Sequence, residues 1–290
     1  MKSALLAILG LAWVAQGQST FTDPAKSITL RYSGLKSFEY KPDDVIRFSG
    51  TGSPVVVDAV SSGLVLNGNE LSLLAKSSAK LFYLQEATLN GSSVVISDTK
   101  VREDFEVSRK LRTELSPEQS RTRVDSATIH YKGTRTEGEL TVPSKLRIRS
   151  DTAGARTIKK EDKDVAQTYT QNLDLTGTSG VMSLDPNAKT TATNLKKGTI
   201  EGVVEFNFNR VEKDADTAEP VVSTLVGRGD QLVFDFTGTV RTIKLVGNVH
   251  MVGTGSYTAD INCHTFIITV DEKLQPIRYE AEGGPPGVGR

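Results

Sequence analysis

Thr242-Ile243-Lys244-Leu245-Val246-Gly247-Asn248-Val249-His250-Met251 is a stretch with a period of two. Ile243, Leu245, Gly247, Val249 and Met251 fall on one face, and Thr242, Lys244, Asn248 and His250 fall on the other. Successive side chains of a strand point to opposite faces, so this order predicts a half-buried strand. Upstream, Leu232, Phe234 and Phe236 share one face of another such segment. Downstream, Tyr257, Ala259, Ile261 and Cys263 line a third, which bends and continues through Phe266, Ile268 and Val270. Ile277, Tyr279 and Ala281 line a fourth, against Arg278, Glu280 and Glu282. Between them lie Thr237-Gly238-Thr239, Gly253-Thr254-Gly255 and Asp271-Glu272-Lys273, which suit hairpin connections. Thr224 to Gly283 therefore reads as four antiparallel strands, with nothing catalytic in them.

The chain has 290 residues, room for one or two domains. Lys plus Arg and Asp plus Glu number 35 each, so no global charge draws it to nucleic acid or an anionic surface. A hydrophobic content of 37% with 24% charged residues allows a thin core, which suits an extended sheet better than a helix-rich enzyme. At the start, Lys2 and the apolar run Ala4 to Val14 predict a signal peptide over residues 1–17, cleaved after Ala15-Gln16-Gly17. An uncleaved anchor is the alternative, although the run is shorter than the ~20 residues a spanning helix needs. No Cys follows the run, which argues against a lipoprotein anchor, and no later segment is apolar enough to span as a helix. The expected product is soluble and exported, to the periplasm in a bacterial envelope. Cys263 is the only cysteine, so no intramolecular disulfide forms. Its place beside Ile261 predicts a buried small hydrophobe, with a reactive thiol as the alternative.

Short strands are expected earlier as well: Ile28 to Tyr32, Phe38 to Tyr40, Val55 to Ala59, Leu64 to Leu66, Leu71 to Leu74, Ala79 to Tyr83, Ala87 to Gly91 and Val94 to Ile96. Pro42-Asp43-Asp44 and Asn67-Gly68 read as turns. Val101 to Arg123 is charged and reads as a crossing loop, with a short helix over Glu106 to Leu115. Strands resume from Val124 to Tyr131, Leu140 to Val142 and Leu146 to Ile148. The polar run Asp151 to Asp164 is the best internal boundary, dividing a unit over 18–154 from one over 155–284. Tyr169 to Leu175, Gly180 to Leu184, Ala188 to Leu195 and Ile200 to Phe208 follow as strands, and Glu212 to Pro220 as a polar loop. The Gly- and Pro-rich tail, residues 285–290, is expected to be disordered. One form recurs: an apolar residue two before a glycine, at Leu89 and Gly91, Ile200 and Gly202, and Leu245 and Gly247. Glycine inside a strand marks a bulge or a close backbone approach.

Gly229-Asp230-Gln231-Leu232-Val233-Phe234-Asp235, Leu245-Val246-Gly247-Asn248-Val249, Thr258-Ala259-Asp260-Ile261 and Phe266-Ile267-Ile268-Thr269-Val270-Asp271 resemble, in that order, the motif of the OstA-like (LptA-like) family of periplasmic lipopolysaccharide-transport β-jellyrolls. The resemblance covers the last 60 or so residues before the tail. The first half lacks the Gly-Asn-Val signature and matches only in style. The resemblance implies an elongated, all-β, antiparallel jellyroll, a twisted V-shaped sheet stack forming one unit or two in tandem. It implies lipopolysaccharide or a similar lipid as ligand, held by its acyl chains in an apolar groove. Phe206, Phe208, Leu232, Phe234, Phe236, Leu245, Val249, Ile261 and Ile268 are the groove candidates. It also implies envelope transport proteins, or further copies of this chain, as partners joined by edge-strand pairing. The alternative is a structural module that recruits a partner through an exposed sheet edge.

Other candidate sites are weaker. His130, His250 and His264 have no spacing that converges three or four metal ligands. Ser77-Ser78-Ala79-Lys80 matches Ser-x-x-Lys without the companion motifs of that enzyme class. Arg228-Gly229-Asp230 spells an adhesion tripeptide at the start of a strand the family motif already explains. Lys145, Arg147 and Arg149 form a basic strip, read either as a solvent face or as a contact for lipid phosphates. The expectation is a non-enzymatic lipid-binding or bridging protein without cofactor, metal or nucleic acid.

Overall fold

The computed structural model describes residues 18–59, 64–78, 81–97, 119–185, 195–217, 219–271 and 276–284. Strands β1 (Ser19–Thr22), β2 (Ile28–Tyr32), β3 (Gly34–Lys41), β4 (Val45–Ala59), β5 (Leu64–Ser78), β6 (Leu81–Ser97) and β7 (Gln119–Gly133) come first. β8 (Gly138–Val142), β9 (Leu146–Lys160), β10 (Lys163–Gly177) and β11 (Ser179–Leu184) follow. Then come β12 (Leu195–Asp214), β13 (Val221–Asp235), β14 (Arg241–Thr254), a 3-10 turn (Gly255–Tyr257), β15 (Ala259–Val270) and β16 (Pro276–Glu282). Among the described residues they form one 16-stranded, antiparallel, jellyroll-like sheet.

The long strands pass through two layers. β12 pairs with β11 up to Glu201 and with β10 from Glu205 onwards. β7 divides in the same way between β9 and β8. One layer thus contains β9, β10 and the later part of β12, and the other contains β8, β11 and its earlier part. The corner between the layers is marked by register shifts at Glu201/Val204, Arg228/Gln231 and Val246/Val249 on successive strands. The recurring glycines sit at such corners: Gly91, Gly202 and Gly247 have φ of 60°, 81° and 75°. A positive φ is a conformation that β-branched residues avoid, which explains a glycine in an otherwise Val- and Ile-rich strand. At the corner on β14, Asn248 follows Gly247 with φ 45°, and its Nδ2 donates to Asp230 Oδ2 at 2.7 Å.

Inward residues of both layers form one apolar cluster that runs from Ile28 to Val270. The cluster is continuous across the expected boundary at Asp151 to Asp164. That run forms the hairpin of β9 and β10, turning at Glu161 and Asp162, both at positive φ. Its polarity misleads because its polar groups find cross-strand partners. Arg156 Nε donates to Gln167 Oε1 at 2.7 Å, and Asn172 Nδ2 donates to Asp151, while Gly154, on the face of Arg156, lies against the Tyr169 ring.

Three further expectations are corrected. Asn67-Gly68 is no turn: it lies within β5, near its crossing from one layer to the other. Residues 119–123 belong to β7 and pair with β9 rather than forming a loop. Glu212 to Asp214 close β12 instead of opening a loop. The fourth strand of the C-terminal region is present as β16; among the described residues it pairs with β15 alone, and Ile277 on it is 65% exposed while Tyr279 packs against Tyr257 and Phe266. The signal segment 1–17, the helix expected over 106–115, Ala79, residues 188–194 and the tail 285–290 lie outside the described residues.

Cys263 is a buried free thiol packed in the core, and burial pushes its pKa up. A buried, protonated thiol is a poor nucleophile. The native protein is therefore expected to leave a thiol reagent such as a disulfide chromophore unreacted over hours, and to react with one equivalent per chain in denaturant. Rapid reaction of the native protein would show that β15 opens locally.

Candidate functional site

Between the layers, in the C-terminal half, lies a cavity of about 140 Å³. Its deep end is close to the corner, where Ile200, Phe206, Leu232 and Leu245 are buried. Away from the corner the lining becomes half-buried: Leu173 and Phe208 on one layer, Leu195, Phe236 and Ile243 on the other. These half-buried residues mark where the interior opens.

The sequence candidates divide cleanly. Phe206, Phe208, Leu232, Phe234, Phe236, Leu245 and Ile268 all line this cavity. Val249 and Ile261 do not; they belong to the core on the far side of the β14 register shift, where Val249 pairs with Cys263 and Ile261 with Met251. The alternation that put all nine on one face is right. What it could not register is position along the sheet: Val249 and Ile261 lie in the layer of Phe206 and Phe208, but on strands further from β10 and outside the cavity.

Reading outward along the inner face of β10 and β12 shows a feature that the candidate set missed. Facing pairs run Leu175 with Phe206, Leu173 with Phe208, Gln171 with Arg210, Tyr169 with Glu212 and Gln167 with Asp214. The wall changes from hydrocarbon to charge within two rows. Arg210 is 5% exposed, and its Nη1 donates to Gln171 Oε1 at 3.1 Å. Nη2 of Arg210 and Nη2 of Arg156 both lie 2.7 Å from Glu212 Oε1. Both guanidiniums also stand over the Tyr169 ring, at 5.3 Å for Arg210 and 5.7 Å for Arg156. Lys160 pairs with Asp214, which also accepts from Gln167 Nε2 at 2.8 Å. Tyr257 reaches in from the 3-10 turn, 5.9 Å from the Phe208 ring and 6.0 Å from Tyr279 of β16. Burial pushes both phenols above their ordinary range, with Arg210 pulling that of Tyr257 back. The signal was present in the sequence: Phe206, Phe208, Arg210, Glu212 and Asp214 alternate along β12 on one face.

The basic strip does not form part of this interior. Arg147 makes a two-pronged contact with Asp174, with Nε to Oδ1 at 2.8 Å and Nη2 to Oδ2 at 2.5 Å, and Arg149 reaches Asp125 at 2.6 Å. His130 and His264 are exposed, and His250 Nε2 lies 3.2 Å from Asp260 Oδ1. Among the described residues no three His, Cys, Asp or Glu side chains converge as metal ligands. Among them, too, no helix is long and apolar enough to cross a membrane. No protein-family model matches the chain, and comparisons with curated proteins and with solved structures give no match either.

Proposed function

We propose that the protein is an exported, non-enzymatic lipid carrier of the lipopolysaccharide-transport type, holding acyl chain in the interior between its layers. The observation that carries this reading is the apolar cavity, which opens at one end between Leu173 and Phe208 on one layer and Phe236 and Ile243 on the other. The family motif in residues 224–283 and the signal-like start support it. At about 140 Å³ the cavity is smaller than the roughly 300 Å³ at which ligand pockets usually begin. It holds part of one chain, and a larger lipid requires the layers to part at the open end. A lipid A labelled on its headgroup should bind the purified protein saturably. Leu173→Trp, which fills the open end without removing core, should weaken that binding about tenfold or more at a stability cost of about 1–3 kcal/mol. Undiminished binding by a folded L173W protein would overturn the reading.

A second reading, recruitment of another chain through a sheet edge, is favoured by β16. Among the described residues it pairs only with β15, and Ile277 on it is widely exposed. An unpaired edge with apolar side chains is a template for another strand, and β1, at the other end of the sheet order, would serve as its counterpart in a second copy. This reading predicts concentration-dependent oligomers in lipid-free sedimentation runs. Pro in place of Ile277 should abolish them; a monomer at all concentrations would sink it.

A further inference from the structure

We propose that the Arg156–Arg210 pair, at the point where the apolar wall ends, is a seat for the anionic group, a phosphate or a carboxylate, of a lipid whose chain lies in the cavity. The inference rests on the lipid reading above and adds the headgroup class. Three observations carry it. First, the polar row is contiguous with the cavity: Gln171, which lines it, accepts from Arg210 and stands beside Leu173 on the same strand face. A chain lying against Leu173 and Phe208 would place its headgroup one row further out, at Arg210. Second, two guanidiniums share one carboxylate. Arg156, Lys160 and Arg210 stand on this wall with Glu212 and Asp214, and Asp216 lies near Lys160. Lys160 is occupied by Asp214, which leaves two guanidiniums converging on one Glu212 oxygen. Third, Arg210 is almost wholly buried, yet its Nε makes no hydrogen bond among the described residues. A buried guanidinium N–H without a partner is costly, and an anion's oxygens match the planar fork of donors. Tyr257, whose phenol interacts with Arg210, closes the side of the seat.

Two amphiphiles with the same dodecanoyl chain separate the terms: lysophosphatidate, which carries a phosphate, and monododecanoylglycerol, which is neutral. Each is titrated below its micelle concentration against the full protein, with inorganic phosphate as a third arm. The expected result is that lysophosphatidate binds about tenfold tighter than the neutral lipid, the worth of one charge-assisted hydrogen-bond pair. Arg210→Gln should erase that preference while leaving the neutral lipid bound as before. Arg156→Gln, at a half-exposed site, should reduce it in the same direction and carries the test should R210Q fail to fold. Glu212→Gln should raise it about threefold or more, because both guanidiniums lose their internal counter-ion. Equal binding of the two lipids, or equal losses for both in the Arg variants, would overturn the headgroup seat while leaving the lipid reading standing. Failure of both lipids to bind would remove both. Displacement of lysophosphatidate by inorganic phosphate at equal concentration would show a site for free anions and overturn the amphiphile.

Discussion

Phe234→Asp is expected to cost about 4 kcal/mol or more, and Phe236→Asp, two residues along the same face, about 1 kcal/mol. Phe234 is 5% exposed and lies across the ladder from Gly198, where a Cβ would fall 2.7 Å from its ring. The ring fills the space that the glycine leaves open, so no neighbour can collapse into the hole if it is removed. Loss of a buried Phe side chain alone costs about 3–5 kcal/mol. The carboxylate adds a desolvation penalty, because the interior around it is lined by apolar Phe206, Leu232 and Ile268. Phe236 follows the last residue of β13 and is half-buried at the open end, so a carboxylate there reaches water. Urea unfolding of the two variants measures both values. A Phe234→Asp protein within about 1 kcal/mol of the parent would mean that the layers are not packed at this point. The contrast also matters for function. On the proposed lipid reading, a charge at Phe234 or Phe206 would abolish binding by unfolding the site, whereas Phe236→Asp would leave a folded protein in which lost binding can be assigned to the open end of the cavity.

The alternation of Leu232, Phe234, Leu245 and Ile268 made the strands and most of the cavity wall legible in the sequence, because burial on one face of a sheet enforces a period of two. Two properties were not legible. The first was strand length. Asn67-Gly68 and the run from Asp151 to Asp164 have the composition of turns and linkers, yet both lie in strands of 15 residues or in the hairpin between two such strands. Local composition reports a turn or a bend alike, and only the partner strand decides which. The second was the polar end of the interior. Arg210 and Glu212 follow Phe206 and Phe208 on one face, and charge at an inward position reads as the end of a strand unless the partners are known. Those partners come from β9 and β10, about 40 to 55 residues earlier, as Gln171 and Arg156 show. A sheet built from long strands hides its polar sites in this way, because the groups that satisfy each charge are distant in sequence.

The same geometry makes exacting demands on the backbone at the corner. Gly247→Val is expected to cost about 3 kcal/mol, although residue 247 is only half-buried. Gly247 has φ 75°, and a Cβ built on it falls 2.4 Å from Asp230 Oδ2. Left-handed backbone costs an ordinary residue about 1–2 kcal/mol, and a β-branched one more. The overlap would also drive the Asp230 carboxylate off Asn248 Nδ2, whose own φ of 45° that hydrogen bond supports. Charged-partner hydrogen bonds contribute about 1.5–3 kcal/mol when well placed, and less at an exposed site such as this one. For a domain of this size each kcal/mol moves the midpoint by about 2–4 °C, so thermal unfolding should fall by roughly 6–12 °C. Gly238→Ala is the control, since a Cβ there meets nothing closer than 3.5 Å and the midpoint should stay within about 2 °C of the parent. A double-mutant cycle identifies the cause. With Asp230→Ala in place the obstruction is gone, and Gly247→Ala should then cost only its backbone share, about 1 kcal/mol less than in the parent. If the two changes are simply additive, Asp230 does not hold the corner. Gly247 would then be required by its dihedral angle alone, and the same should hold at Gly91 and Gly202, the two other glycines that carry the recurring pattern.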